Sequence, residues 1–287
     1  MDKKLSPPIF LVACPRSGTT LLQSLLAAHP DIYSLPETKF FQFAVPSYRQ
    51  EPIRALGGFI SKRLLPRLQV FFVDVLERPD LLVDLPSIPL LSLYTGKFQA
   101  ILDELTLEAG KRVWLEKTPE HLLYIRTIQG YFPSARFIHL VRNPLDVIAS
   151  LYEITHKYPQ WWGGVWDVER CLKRWQDALK ISCKYCDQPQ HLLVKYEDLV
   201  EKPEICLQKI CDFLRIDFTV EMLENYGDMA DRLTVKSSRN VNKSGIFSNG
   251  SGKFHEMFRD EEKVFIKNRL LRTKNQMLLI GMNYRWE

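Results

Sequence analysis

Residues 9–22, IFLVACPRSGTTLL, change character halfway along. The first six are apolar without polar alternation, as in a strand buried on both faces. Leu21, Leu22, Leu25 and Leu26 then follow at helical spacing, and the pattern stops at His29-Pro30. Between strand and helix lies a turn holding three hydroxyl residues, one Gly and one Arg. The first N–H groups of a helix have no intrahelical partner and sit at the positive end of its dipole, so a turn here favours an anion. Ser17, Thr19 and Thr20 add hydroxyl donors, and Gly18 lets the backbone approach a ligand closely. Arg16 serves no capping purpose and supplies a cation. Pro15, Arg16, Ser17, Gly18, Thr19 and Thr20 are therefore a candidate phosphate-binding loop.

The same rhythm recurs downstream. Val113 to Glu116, Phe137 to Val141 and His191 to Tyr196 read as buried strands, each followed by a turn and a helical pattern, and Ile32 to Leu35 as a shorter strand. Thr118-Pro119 and Asn143-Pro144 have the form of an N-cap followed by Pro at the first helical position. Alternating strands and helices predict an α/β fold, a central mostly parallel sheet flanked by helices. Residues 45–110 interrupt it with amphipathic helices broken by six prolines, a Leu- and Phe-rich helical insertion. Residues 155–166, THKYPQWWGGVW, hold three of the six tryptophans beside a Gly pair, a composition suited equally to core packing or to a lid over a substrate. Asp260 to Ile280 reads as one helix packed on the sheet. With no linker or repeat, residues 1–287 are expected to form one domain.

Composition excludes several classes. The 287 residues are 46% hydrophobic and carry 39 Lys plus Arg against 34 Asp plus Glu, a net charge of +5 too small and dispersed for a nucleic-acid footprint. No apolar run approaches the ~18 to 20 residues of a membrane span, and residues 1–10 hold no secretory h-region, so a cytoplasmic protein is expected. Six cysteines include one CxxC, Cys183 to Cys186, without the second pair that a zinc site needs; buried thiols are expected, and no metal site.

The loop departs from a Walker A sequence: Thr19 stands where the Lys would be, which disfavours ATP with magnesium and leaves a small-molecule or nucleotide kinase as the alternative reading. Nor does the strand ending at Val141 finish on a metal-holding Asp; it finishes on Arg142, which can fork onto a phosphate. Ser150, eight residues further along the Asn143-Pro144 helix, is about two turns away and can donate to the same group.

PRSGTTLL after the first strand, LVRNPLDVIAS with this Arg and Ser, and KYEDL (Lys195 to Leu199), in that order, resemble the sulfotransferases that use 3'-phosphoadenosine 5'-phosphosulfate, PAPS. The resemblance covers Ile9 to Leu199 and, more loosely, Ser238 to Phe258. It implies a P-loop-like sulfotransferase fold with PAP as product, the first loop on the 5'-phosphosulfate, Arg142 and Ser150 on the 3'-phosphate, and Tyr196 near the adenine. HPDIYSLPET and EKTPEH are closer to tyrosylprotein, carbohydrate and bacterial members than to the small-phenol enzymes.

Sulfuryl transfer to an alcohol needs a base, cations for the charge on the bridging and leaving oxygens, and exclusion of water. Arg16 and Lys117, the latter at a strand end, are the candidate cations. Glu37 is the preferred base, matching the family's carboxylate after the HPD segment; partial burial is expected to raise its pKa. His121 is the alternative, with an intrinsic pKa nearer neutrality. Residues 252–258, GKFHEMF, resemble the family's GxWxxxF, but the usual preceding Arg-Lys-Gly is absent, so the second phosphate clamp must come from elsewhere, with Arg239, Ser251 and Lys253 as candidates. The apolar insertion and the Trp segment point to a small-molecule hydroxyl acceptor with a hydrophobic part. A non-enzymatic adenine-nucleotide-binding domain would need Arg16 and Arg142 but not Glu37 and Lys117.

Overall fold

The structure, a computed structural model, describes residues 5–233, 251–279 and 281. Five parallel strands, β1 (Ile9–Ala13), β2 (Ile32–Ser34), β3 (Val113–Lys117), β4 (Arg136–Val141) and β5 (His191–Lys195), form one sheet in the order β2-β3-β1-β4-β5. They are the five apolar runs of the sequence. Alternate residues of β1 serve two cores: Phe10 and Val12 face one, while Ile9, Leu11 and Ala13 face the other with Leu22, Leu25 and Leu26 of helix α1 (Thr19–Ala27). Phe10 is fully buried among the rings of Phe41, Trp114, Phe132 and Phe137. Truncating such a side chain costs about 3 to 5 kcal/mol.

Because β1 lies inside the sheet with β3 on one side and β4 on the other, the strand order reverses beside it. In open α/β sheets ligands bind in the crevice beyond the strand C-termini at such a switch point. Ala13 pairs with Leu140, which sets the loop after β1 beside the turn after β4.

The insertion holds no named strand among its described residues. It comprises short helices, including α3 (Leu64–Gln69) after the five-residue α2 (Phe40–Ala44), a π-helical turn Val70–Val75, and the long α4 (Leu91–Glu108). Asn143 caps α5 (Pro144–Lys157) as its sequence predicts, accepting from the Leu145 N–H at 2.9 Å. Thr118 does not act as a cap; the segment after it is a 3-10 turn, Pro119–Tyr124, and its hydroxyl is spent elsewhere. The tryptophan segment divides. Trp166 is buried against Trp162, whereas Trp161 is 61% exposed and stacked on Tyr158.

The expected C-terminal helix is two, Asp260–Leu271 and Lys274–Leu279, broken where the Thr273 hydroxyl donates to the Leu270 carbonyl. It packs on α6 (Val168–Tyr185) rather than on the sheet itself, through Gln176 to the Arg269 carbonyl and Cys183 to the Gln276 carbonyl. All six cysteines are free thiols. No helix among the described residues is long and apolar enough to cross a membrane.

One polar chain runs through the apolar layer at the β5 edge. His139 Nε2 lies 2.9 Å from His191 Nδ1, and the outer nitrogens reach Ser182 Oγ at 3.1 Å and Gln129 Nε2 at 3.1 Å. Burial, and for His139 the neighbouring imidazole, lower the pKa of His139 to about 3 and that of His191 to about 4. Both rings are neutral in the fold and take protons only on unfolding. Stability is therefore undiminished above the unfolded His pKa of ~6.5 and declines as the pH falls below it, by up to about 1.4 kcal/mol per pH unit for each ring. Urea midpoints should fall between pH ~6.5 and ~4, and His139→Gln should flatten that slope; an unchanged slope would show that the pair does not carry it.

Candidate active site

The loop predicted to bind phosphate closes β1 and opens α1. Gly18, at φ 91°, is the residue before the helix, and no acidic side chain occupies the first turn to compete for the free N–H groups. Arg16 is also left-handed, at φ 72°, a conformation that costs a non-glycine residue about 1 kcal/mol or more. It turns an exposed guanidinium across the crevice, where Nε donates to Ser150 Oγ at 3.0 Å. The Ser150 hydroxyl on α5 and the loop after β1 thus meet at one place. Arg16 also lies within electrostatic reach of Glu153, Arg142 and Glu37.

On the β4 side, Arg142 is clamped by its own backbone. Its carbonyl accepts from Trp175 Nε1 at 3.1 Å, and the next N–H, of Asn143, donates to Glu197 Oε1 at 2.8 Å. Its guanidinium lies 4.2 Å from the centre of the Tyr196 ring and 3.2 Å from Asp146. Tyr196, the first residue of helix α7 (Tyr196–Glu201), packs in turn on Gly18: a Cβ there would fall 2.4 Å from the ring. Glycine is required twice over, by its φ and by the ring.

The base candidate sits on the other side of β1, on the turn between β2 and α2. Gln23 of α1 donates to the Leu35 carbonyl at 2.8 Å, and Arg67 of α3 donates to the carbonyls of Glu37 at 2.7 Å and Thr38 at 2.9 Å. So fixed, Glu37 Oε1 meets Lys117 Nζ at 2.6 Å; the Lys117 side chain is 6% exposed and that of Glu37 32%. Lys117 is a nearly buried partner rather than a solvated strand-end charge. Burial alone would raise the Glu37 pKa, as the sequence leads one to expect, but Lys117 and Lys39 outweigh it and the net direction is down. Glu37 is a held carboxylate.

His121 is not placed to act as a base. It is fully buried, with Nδ1 2.7 Å from Glu116 Oε2, and Nε2 accepts the Phe41 N–H at 3.2 Å, so neither nitrogen is open to a substrate. The sequence marked a histidine on a helical turn and could not show that Nε2 is taken by the Phe41 N–H and Nδ1 shut in against Glu116. Among the C-terminal candidates, Lys253 lies on the helix Ser251–Met257 and pairs with Glu153, one turn beyond Ser150 on α5. Ser251 opens that helix, and Arg239 lies outside the described residues. Phe254, in the place of the family's Trp, is fully buried against Phe258. Residues that sequence reasoning did not single out are Glu116, Arg67, Trp175 and Glu197. Glu197, inside KYEDL, and Glu116, which opens EKTPEH, each had a motif to mark it.

Residues 7–220 match the profile of the sulfotransferase family. The chain belongs to the sulfotransferase family. Sulfuryl transfer, and not the phosphoryl transfer of a kinase, is the reaction class of that family. Among its relatives, nodulation protein NoeE of Sinorhizobium fredii is 31% identical over 243 residues, covering 76% of this chain and 52% of that protein. A protein-tyrosine sulfotransferase of Drosophila melanogaster is 24% identical over 229 residues, covering 76% and 40%. The chain thus spans about half or less of these two relatives. In fold it is similar to the sulfotransferase domain of the Synechococcus PCC 7002 olefin synthase, with a TM-score of 0.59, 24% identity and coverage of 94% and 97%. It is also similar to mouse sulfotransferase SULT7A1 complexed with PAP, with a TM-score of 0.56, 14% identity and coverage of 98% and 92%.

The Gly18 cradle gives a direct test of the loop. Gly18→Ala should lower affinity for a phosphate-bearing nucleotide at least tenfold and destabilise the fold by about 1 kcal/mol or more. Calorimetric titration with PAP checks the first and urea unfolding the second; wild-type values would mean that the Tyr196 contact is not part of the site.

Proposed function

We propose that this chain transfers a sulfuryl group from PAPS to the hydroxyl of a small, partly hydrophobic acceptor, without a metal ion, and that its residues form one sulfotransferase domain. The observation that carries the reading is the Glu37–Lys117 contact at 2.6 Å in the crevice that also holds Arg16 and Ser150. A regulatory nucleotide-binding domain has no use for a paired carboxylate and ammonium beside its anion loop. The residues fit the cofactor. Among the described residues Ser17 Oγ and Arg142 Nε are buried without hydrogen-bond partners, and the α1 N-terminus is free of acidic side chains.

When bound, PAPS supplies the sulfuryl group and PAP departs with the bridging oxygen. The loop Pro15 to Thr20 holds the 5' end through backbone N–H groups and hydroxyls, and Arg142 with Ser150 holds the 3'-phosphate. Tyr196 walls the nucleotide beside Gly18, with Lys253, Ser251 and Arg239 as further candidates on the 3' side. Glu37 takes the acceptor proton on a carboxylate oxygen, and Lys117 Nζ and Arg16 stabilise negative charge on the oxygens around sulfur. As Glu37 is held below the usual carboxylate range, the acid limb of the rate profile lies below that of an ordinary glutamate, and activity is lost only as the pH falls through that lowered value.

The acceptor reading rests on the insertion. The same helix that brings Arg67 to the base turn exposes Leu65 at 46%, and Ile53 and Leu56 nearby in sequence are 82% and 79% exposed. The stack of exposed Trp161 on half-buried Tyr158, next to Gly163 at φ 66° and Gly164 at φ 107°, is read as the lid of residues 155–166. A cytoplasmic location goes with this assignment.

PAP with EDTA at 100 times its dissociation constant should add ~2.7 kcal/mol and raise the unfolding midpoint by several degrees, while ATP with magnesium should not. The reverse would overturn the reading. With radiolabelled PAPS and octanol or nitrophenol as probe acceptors, Glu37→Gln should keep PAP affinity and lower turnover about 100-fold or more. Full activity in Glu37→Gln would remove Glu37 as the base.

A further inference from the structure

Glu116 is a carboxylate only 1% exposed, in the middle of a parallel sheet and one residue before Lys117. An anion so placed costs several kcal/mol unless it is paired, and here one oxygen is hydrogen-bonded twice and the other stands against an imidazole. Oε1 accepts from Thr38 Oγ1 and Thr118 Oγ1, both at 2.7 Å, and Oε2 lies 2.7 Å from His121 Nδ1. The pattern fixes the tautomer of His121. Nε2 accepts the Phe41 N–H, so the ring proton is on Nδ1, the nitrogen on the Glu116 side.

Each of these partners grips the turn that carries Glu37. Thr118 Oγ1 accepts the Lys39 N–H at 3.1 Å, Thr38 Oγ1 accepts the Phe40 N–H at 3.1 Å, and His121 Nε2 accepts the Phe41 N–H at 3.2 Å. Three consecutive N–H groups, those that open α2 and lack intrahelical partners, are all satisfied from one buried centre. That centre belongs to the strand end that presents Lys117. Burial pushes the Glu116 pKa up, but His121 and the two threonine hydroxyls prevail and the net direction is down.

We infer that Glu116 is a positioning residue which, through Thr38, Thr118 and His121, sets the contact between Glu37 and Lys117. The inference rests on the proposed roles of Glu37 and Lys117, but the contact itself can be read without any acceptor. Charged groups acting on Glu37 are Lys117, Lys39, Arg16 and Arg67 on the cationic side and Glu116 on the anionic side. Any substitution that lengthens the Lys117 contact releases Glu37 towards an ordinary carboxylate.

The test follows the Glu37 side-chain carboxyl by carbon NMR in glutamate-labelled full-length protein, assigned by loss of its signal in Glu37→Gln. Thr118→Val is the main variant, being isosteric and neutral, and Thr118→Ser restores the hydroxyl. The titration of Glu37 should move up in Thr118→Val and return in Thr118→Ser, with PAP affinity changed by less than about twofold in both. Glu116→Gln gives a second reading with a useful sign. Loss of a nearby negative charge would by itself lower Glu37 further, so a rise reports a lengthened contact.

An unmoved or lowered titration in Thr118→Val and Glu116→Gln overturns the inference. So does a rise accompanied by loss of PAP binding and a collapsed unfolding midpoint, which marks general disruption. Wild-type protein that fails to bind PAP sinks the sulfotransferase reading instead and leaves the titration to judge the positioning.

Discussion

The pairing of β1 with β4 is the constraint on which the rest hangs. In a parallel sheet each strand ends at the same edge, so placing β1 beside β4 brings the turn after one against the turn after the other. The loop after β1 and the Arg142 turn come from distant parts of the chain and meet only because of this pairing. β3 does the same on the opposite side of β1, with Leu11 opposite Lys117, and so delivers Lys117 to the same edge. A central strand with neighbours on both sides therefore assembles an anion loop, an arginine and a lysine without any long loop having to fold over the sheet.

Polar groups are then distributed by what the crevice must do. Arg16, which faces the opening, spends its Nε on Ser150, and no other hydrogen bond of its guanidinium is made among the described residues. Glu116 and His121, which lie behind the crevice, spend Oε1 on Thr38 and Thr118 and Nε2 on the Phe41 N–H, and face each other across 2.7 Å. Between the two extremes stands the Glu37–Lys117 pair, half in contact with solvent and half with the core. A pair in that position is electrostatically strong because little water screens it, yet one partner remains open to a substrate.

Much of this was legible in the sequence because it depends on local patterns. The apolar runs of β1, β3, β4 and β5 are too short and too uniformly apolar for surface helices, and Asn143-Pro144 announces a helix start wherever it lies. Arg16, Ser150, Glu37 and Lys117 stand in motifs that the fold brings into contact, Arg16 with Ser150 and Glu37 with Lys117, whereas the Arg142 guanidinium lies on Asp146 and Tyr196. Three things were not legible. The pKa direction of Glu37 depends on a lysine distant in sequence, which reverses the effect of burial. The engagement of both His121 nitrogens depends on the Phe41 backbone, and no pattern within EKTPEH reveals that. The break between Leu271 and Lys274 arises in a segment whose apolar spacing continues across it, so periodicity alone runs the two helices together.

The contact between Gly18 and Tyr196 has a consequence for biosynthesis. The loop after β1 leaves the ribosome well before the ring that fills the space beside Gly18, which belongs to a helix that follows the last strand of the sheet. Neither Arg142 nor Ser150 is available before most of the sheet has been translated. The anion loop emerges early and waits, without its aromatic wall, until synthesis has passed residue 196. A chain truncated before that point would carry the complete PRSGTT sequence and no finished site.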